Sequence, residues 1–448
     1  MIALRLARTE PSELNRGSPR RAGSRDAAAG PVARQPRGRF GAACVVLLAV
    51  VLPVGASAQQ TEPAPRFQAS AVLPPELRQG PGWSVDQAVG NDGINNRYLL
   101  HTEAGDVPVV STALLRVRAH ELSALARMEQ IKRSSVYGEA VKKGATSPLR
   151  FAGNLVKEPV DTVSDAAHGV GQMFSNVGHA MFGKPSDQEE GVAKAALGVA
   201  VAKRAFAKQF GVDPYSSNEP MQERLNELGW ASAAGGLTVG AAFGAIGGPA
   251  SAVLRGTKMA GGVGALVYDN SPEQLKRLNA AKLADMGVSK SAVIAFLDHP
   301  KFSPTAKTFI VAALERMQGV AQRGIVVDDA VAAPGETEAF QRLLQAEMLS
   351  AYHRDVGRFA RLVSLGGLPA GVTAEGKLVL AMPADHLAWT EFMDRQVRRE
   401  APTPAMPKGV TRKEIWLSGE ASALARSVLQ DRHWTVIEQT GQRLIPNS

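Results

Sequence analysis

The feature that most constrains this chain is an uncharged, glycine-rich stretch near its middle. Residues 228–254 contain no Asp, Glu, Lys or Arg. Four glycines within the stretch recur at every fourth position: Gly236, Gly240, Gly244 and Gly248. On an α-helix that spacing lines one face with bare main chain. A helix with such a face can approach a second helix more closely than side chains would otherwise permit.

Two helices are predicted in this region, because Pro249 interrupts the uncharged run and glycine-rich apolar sequence resumes after Lys258. The four-residue register resembles the glycine zippers of bacterial envelope proteins, and more loosely the small-xxx-small contacts of membrane helices. The resemblance implies that residues 221–268 form a glycine-zipper helical hairpin, used for homo-oligomer formation or membrane association. Packing outside the membrane is favoured over insertion, since Gly and Ala contribute little transfer energy.

A secretory leader is predicted at the N-terminus. Three arginines precede an apolar run at residues 42–54, and small residues at 56–58 then offer an A-x-A cleavage site. Residues 1–58 are therefore predicted to be a signal peptide, and the mature protein is expected in the periplasm or cell envelope. The alternative is an uncleaved membrane anchor, which the shortness of the apolar run disfavours.

Charge and cysteine content exclude two classes of function. The formal net charge is +9, but residues 1–58 hold nine arginines and only three acidic residues. Little positive charge remains once the leader is removed, so no nucleic-acid partner is predicted. Cys44, the only cysteine, lies inside the leader. The mature chain therefore has no disulfide and no thiolate metal site.

The first part of the mature chain is predicted to combine a linker, a hairpin and helices. Residues 59–82 are rich in Pro, Gln and Ala and are predicted to be a flexible linker. Within 83–220, apolar runs at 98–102 and 107–110 flank a Glu-Ala-Gly-Asp sequence, which predicts a β-hairpin with a four-residue turn. A helix is expected to begin at Ser111 or the residue after it.

A second periodic pattern lies within residues 149–183. Apolar side chains recur there at alternating spacings of four and three, which predicts one apolar face along a helix. The face includes Val156, Val160, Val163, Val170, Phe174 and Val177. Such a helix needs a surface to cover it. A groove on the protein or on a second copy is favoured over a membrane interface, because the polar face lacks the basic residues that anionic lipid attracts.

The remaining regions are predicted to be short helices followed by an α/β part. Residues 269–333 contain repeated helix-start signals, in which Ser precedes Pro or a helical run. In residues 334–448, helices are predicted at 336–352, 384–399 and 420–430. Strands are predicted at 359–365, 377–382, 414–417 and 434–438, and a Gly/Pro-rich connection joins the first two. The predicted fold class is thus mainly α, with a smaller α/β C-terminal part and a glycine-rich helical hairpin in the middle.

One pair of residues offers a candidate for catalysis. Asp385 and His386 follow the predicted strand that ends at Met382, and ligands of open α/β sheets bind beyond the carboxyl ends of strands. An Asp/His pair can transfer protons, although helix capping by Asp385 is the favoured interpretation. No nucleophile-elbow, phosphate-loop, dinucleotide-binding or zinc-helix motif occurs, so no cofactor or metal site is predicted.

Two functional hypotheses follow from these patterns. The first is an exported, non-enzymatic envelope protein of structural or interaction type, which associates with itself or with the membrane through the glycine-zipper hairpin. The alternative is a soluble periplasmic enzyme, for instance a hydrolase, with its site on the C-terminal α/β part. The position of Asp385 and His386 relative to a cavity discriminates between the two.

Overall fold

A computed structural model describes residues 61–146, 187–247, 261–399 and 407–445, all of which belong to one compact unit. Three sequence predictions lie outside the described residues: the signal peptide, the apolar face from Val156 to Val177, and Gly248. The structure is 54% helix and 20% strand, with sheets on both sides of a helical middle. The prediction of a mainly α protein with a smaller α/β C-terminal part is therefore wrong.

The N-terminal side is an antiparallel sheet that curves as a half-barrel. Its strands are β1 (Arg66–Gln68), β2 (Gln79–Gly80), β3 (Trp83–Val85), β4 (Ala88–Asn91), β5 (Asn96–Thr102) and β6 (Gly105–Val110). β5 pairs with β6 on one side and with β3 and β4 on the other. The predicted hairpin is confirmed, although Thr102 pairs directly with Gly105, which shortens the turn to two residues.

The stretch predicted as a linker contributes β1 and β2 to this sheet, together with the short helix α1 (Ala69–Val72) and a 3-10 turn at Pro75–Leu77. These elements are two to four residues long. They are too short to show the periodicity from which strands and helices are predicted. Packing in the hydrophobic core stabilises these short elements, because Ala69, Leu73 and Leu77 are buried with Leu100 and Leu115.

Helices follow the sheet. They are α2 (Thr112–Lys132), α3 (Ser135–Thr146), α4 (Asp187–Phe210), α5 (Glu219–Gly235), α6 (Val239–Ala245) and α7 (Gly261–Asp269). Ser111 caps α2 as predicted, and its hydroxyl accepts a hydrogen bond from the Leu114 N–H at 3.2 Å. A core that includes Met128, Phe206, Phe210 and Leu225 holds these helices together.

The predicted glycine-rich hairpin in the middle of the fold is not formed as two continuous helices. Gly236 adopts a left-handed conformation (φ 72°) and ends α5, as glycine commonly does after a helix. Thr238 then caps a new, seven-residue helix. A side-chain Cβ at Gly240 or Gly244 would meet nothing within 4 Å. Gly236, Gly240 and Gly244 therefore do not share one face of a single helix.

Close helix approach through glycine does occur, but at positions outside the four-residue register. A Cβ at Gly235 would lie 1.9 Å from the carbonyl oxygen of Ala140 on α3. One at Gly229 would lie 2.9 Å from the carbonyl oxygen of Val199 on α4. Real Cβ atoms do not approach other atoms so closely. The bare main chain of α5 therefore sets its distance from both neighbouring helices.

Residues 269–333 form four short helices, of which the first three begin where the sequence predicts them. They are α8 (Pro272–Asp285), α9 (Lys290–Leu297), α10 (Pro304–Arg316) and α11 (Gly324–Val331). Serine hydroxyls of Ser271, Ser289 and Ser303 cap the first three, as the sequence signals predict. The long helix α12 (Glu336–Asp355) packs against α10 and joins a common core that includes Phe296, Val311 and Leu349.

The C-terminal sheet has the order β13-β11-β9-β8-β7. Its strands are β7 (Phe359–Leu365), β8 (Leu368–Thr373), β9 (Lys377–Met382), β11 (Arg412–Leu417) and β13 (Trp434–Ile437). A parallel pair, β10 (His386–Leu387) with β12 (Glu420–Ala421), lies beside it. Helices α13 (Glu391–Arg399), α14 (Ala423–Asp431) and α15 (Gly441–Leu444) complete the fold. Four strands occur where the sequence predicts them.

Side chains of these strands alternate between the two faces of the C-terminal sheet, and each face has its own hydrophobic core. Val379 and Ala381 pack in the core formed with α12, whereas Leu378 and Leu380 pack in the core formed with α14. Successive side chains of a strand point to opposite faces, so the sheet is buried on both sides. Helix α12 thus has one side on the sheet and leaves another side for the cavity described next.

Candidate functional site

A cavity of about 600 Å³ lies between the N-terminal sheet, α2, the α4–α5 connection, α10 and α12. Its volume is within the range of small-molecule sites, which is roughly 300–1,000 Å³. Most of its walls are apolar. They are formed by side chains that include Val109, Leu114, Val117, Phe309, Phe340, Leu343 and Leu344.

The spacing of residues on α12 explains how one carboxyl group reaches this apolar space. Phe340, Leu344 and Glu347 all line the cavity, at positions i, i+4 and i+7 of one helix. Residues with this spacing lie on the same helix face. Glu347 therefore occupies a place in the helix pattern that an apolar residue would ordinarily fill.

Glu347 is buried, with only 9% of its surface exposed. Among the described residues, none forms a hydrogen bond or an ion pair with Glu347. The positive charge of Arg316 nevertheless acts on its carboxyl. Burial raises the pKa of the Glu347 carboxyl to about 7, and the Arg316 charge opposes that rise. A buried acid without a bonded partner is costly, and it is the chemical feature that distinguishes this cavity.

A second acidic group, Asp213, lies in the turn between α4 and α5. Its carboxylate accepts hydrogen bonds from the Thr305 hydroxyl at 2.5 Å and the Tyr215 N–H at 2.8 Å. Desolvation of this partly buried side chain raises its pKa to about 6. Lys203 acts on it through its charge, and burial lowers the pKa of the Lys203 ammonium to about 8. Asp213 is thus bound to its neighbours and joins α4, α5 and α10.

A polar network closes one end of the cavity. Glu121 accepts hydrogen bonds from Arg118 at 2.7 Å, from Asn218 at 2.9 Å, and from the hydroxyl of Ser216. The neighbouring His120 directs Nε2 toward the main-chain carbonyl oxygens of Phe210 and Gly211, at 3.2 and 3.1 Å. Since carbonyl oxygens only accept, Nε2 must carry the proton.

The chemistry of His120 follows from that tautomer. Burial lowers the pKa of the imidazole, so the neutral form prevails near pH 7. Its Nδ1 is buried and has no hydrogen-bond partner in the part of the chain that the structure describes. Ser216 donates to Glu121 rather than to this ring. A serine hydrolase needs a hydrogen bond between its serine and its histidine. Ser216 and His120 are therefore not arranged as such a pair.

Basic residues line the rim. Lys301, Arg316 and Arg354 are exposed and contribute to the cavity wall. Arg354 also forms two hydrogen bonds of 2.7 Å with Asp355 beside it. Because these cations are exposed, solvent screens their charges more than it screens the buried Glu347 carboxyl.

The predicted catalytic pair lies elsewhere. Asp385 is half-buried between the two sheets, and its carboxylate accepts hydrogen bonds from the Asn96 N–H at 3.0 Å and the Thr112 N–H at 2.8 Å. It thus caps α2, whereas the sequence favoured capping of a helix directly after it. His386 contacts the Phe67 ring edge-on, with centroids 5.2 Å apart. Neither residue lines the cavity, and a catalytic role for the pair stays a prediction.

Sequence reasoning missed Glu347, although a signal was present. Residues 336–352 were predicted to be helical, and one acidic residue stands in register with apolar residues of that helix. The sequence around Asp213 indicates only a turn, because a proline follows it directly. The wall opposite α12 comes from α2 and the N-terminal sheet, which lie more than two hundred residues away in sequence. No local pattern could have brought these groups together.

Comparison with known proteins does not assign the cavity. No protein-family model, curated protein or solved structure matches this chain. None of the helices in the described ranges combines the length and the apolar character needed to cross a bilayer. The same residues contain no group of three or more His, Cys, Asp or Glu side chains placed to bind a metal ion.

Proposed function

We propose that this protein binds an apolar small molecule in the cavity between α2, α10 and α12. The observation that carries the proposal is a cavity of about 600 Å³ with largely apolar walls. Burial of a ligand's apolar surface supplies about 25 cal/mol per Å² before the costs of association. A hydrolase is less well supported, because Ser216 and His120 each bond to other groups.

The proposal includes export to the bacterial periplasm or cell envelope. It rests on the leader at residues 1–58, with its apolar run and A-x-A site. A mature chain without cysteine is compatible with that oxidising compartment, because it has no thiol that could form an unwanted disulfide there. Fractionation of cells into cytoplasm, periplasm and carbonate-washed membranes tests this part. Full-length protein confined to the cytoplasm would contradict it.

Ligand binding is tested with a dye that fluoresces in apolar surroundings. Ala306 on α10 lines the cavity, and Ala306→Trp would fill part of the space. Ala295→Trp is the matched control, since Ala295 is exposed on α9 and does not line the cavity. We expect saturable, one-to-one dye binding to the wild type and the control, and at least a tenfold weaker affinity in Ala306→Trp. Equal binding by all three proteins would refute the assignment of the cavity.

Self-association is a second candidate function. Gly240 and Gly244 are exposed on α6, and a Cβ at either position would meet nothing within 4 Å. A second copy could therefore approach this bare main chain closely. The oligomeric state of Gly240→Leu and Gly244→Leu variants tests the idea, since the new side chains would separate two copies without disturbing the single chain.

A further inference from the structure

We infer that the cavity selects an apolar molecule carrying a single amine, and that the Glu347 carboxylate binds the ammonium group. The inference rests on the proposed small-molecule function and adds the chemical class of the ligand. It starts from the geometry of one residue: Glu347 lines the cavity, is 9% exposed, and has no hydrogen-bond donor or ion-pair partner among the described residues.

The other acidic groups of the cavity cannot serve in the same way. Glu121 already accepts three hydrogen bonds, from Arg118, Ser216 and Asn218. Asp213 accepts from Thr305 and Tyr215. Glu336 is exposed to water at the start of α12. Among the described residues that line the cavity, only Glu347 has a carboxyl that combines burial with open acceptor capacity, so it has most to gain from a bound donor.

The charge of the required donor follows from the surroundings of Glu347. Buried carboxylates are stable when they are paired with a cation and hydrogen-bonded. The cations that line the cavity are Arg116, Arg118, Lys301, Arg316 and Arg354. Arg118 is bound to Glu121, and Arg354 to Asp355. Arg316 acts on Glu347 through its charge but is exposed. An ammonium group brought in by the ligand would supply the missing close partner.

The walls specify the rest of the molecule. Phe340 and Leu344 lie on the same face of α12 as Glu347, and Phe309 of α10 lines the same space. A ligand bound to Glu347 must therefore place an apolar body against these side chains. An alkylamine has this chemistry, whereas an alcohol or a carboxylate of the same length lacks the positive charge.

The experiment compares octylamine, octanol and octanoate by isothermal titration calorimetry at pH 8. We expect octylamine to bind the wild type at least tenfold more tightly than octanol does, and octanoate to bind most weakly. In Glu347→Gln the preference for octylamine should fall to twofold or less, while octanol affinity changes by less than threefold. Glu338→Gln is the matched control on the same helix, since Glu338 does not line the cavity, and it should keep the wild-type preference.

The outcomes separate this inference from the proposed function. Equal binding of octylamine and octanol to the wild type would overturn amine selection but leave an apolar site. An amine preference that survives Glu347→Gln would overturn the role of Glu347. If none of the three compounds binds the wild type, the proposed function itself fails, and the inference falls with it. A cooperative thermal melt at pH 8 establishes that the Glu347→Gln chain is folded.

Discussion

Replacement of Gly235 by alanine tests the packing that holds the helical middle together. The added Cβ would lie 1.9 Å from the carbonyl oxygen of Ala140 and 2.5 Å from its carbonyl carbon. Both are main-chain atoms of α3, so no side chain can move aside. Restoring a contact of about 3 Å requires α3 and α5 to separate by roughly 1 Å. Overpacking of this kind costs about 1–3 kcal/mol, which exceeds the gain of up to about 1 kcal/mol in helix propensity.

The expected net loss for Gly235→Ala is about 1 kcal/mol in the free energy of unfolding, because the gain in helix propensity offsets part of the overpacking cost. Urea denaturation followed by circular dichroism at 222 nm measures it. Gly240→Ala is the matched control, because its Cβ would meet nothing within 4 Å, and it should leave stability unchanged or raise it by up to about 1 kcal/mol. A Gly235→Ala protein as stable as the control would show that α3 and α5 do not approach as described.

Three further predictions concern other parts of the chain. Because burial raises the pKa of Glu347 to about 7, the contribution of this carboxyl to stability should be fully present below about pH 4.5 and should be lost as pH rises through 7. Glu347→Gln should remove on the order of 2–3 kcal/mol of pH dependence between these values. Asp385→Ala should cost about 1–3 kcal/mol, since it leaves two partly buried N–H groups without acceptors, whereas Asp385→Asn should cost less. Gly240→Leu with Gly244→Leu should abolish any oligomer seen by light scattering, and an unchanged oligomer would exclude this face as the interface.

Much of the secondary structure could be predicted from the sequence, because its signals are local. Serine before proline marks the starts of α8 and α10, and the apolar runs at Phe359–Leu365 and Lys377–Met382 coincide with β7 and β9. Strand β8 was missed because Leu368–Thr373 contains Pro and Gly, which ordinarily indicate a connection. It forms a strand because β7 and β9 pair with it on both sides.

The glycine pattern shows where local reasoning fails. Four-residue spacing places residues on one face only if the helix is continuous, and Gly236 itself ends α5. The contacts that need bare main chain are at Gly229 and Gly235, where α3 and α4 approach α5. Their spacing of six residues gives no helical register. The helices that pack against α5 determine which positions need glycine. The sequence around each glycine does not show which helix will pack there.

Local sequence patterns could not predict the cavity either. Asp385 stood out because it follows a strand, but its carboxylate binds main-chain N–H groups of β5 and α2. Glu347 was inconspicuous among the charged residues of a predicted helix. Its significance depends on burial against α2 and α10, and burial is a property of the assembled fold.

We propose above that the cavity between α2, α10 and α12 holds an apolar small molecule. A crystal grown with 8-bromo-octylamine tests this binding most directly. Anomalous scattering from bromine locates the ligand without reference to any other part of the structure. We predict one bromine peak against the apolar walls near Phe309 and Phe340, with the amine nitrogen within hydrogen-bond distance of the Glu347 carboxylate. Bromine found only on the outer surface, with water alone filling the cavity, would contradict the claim.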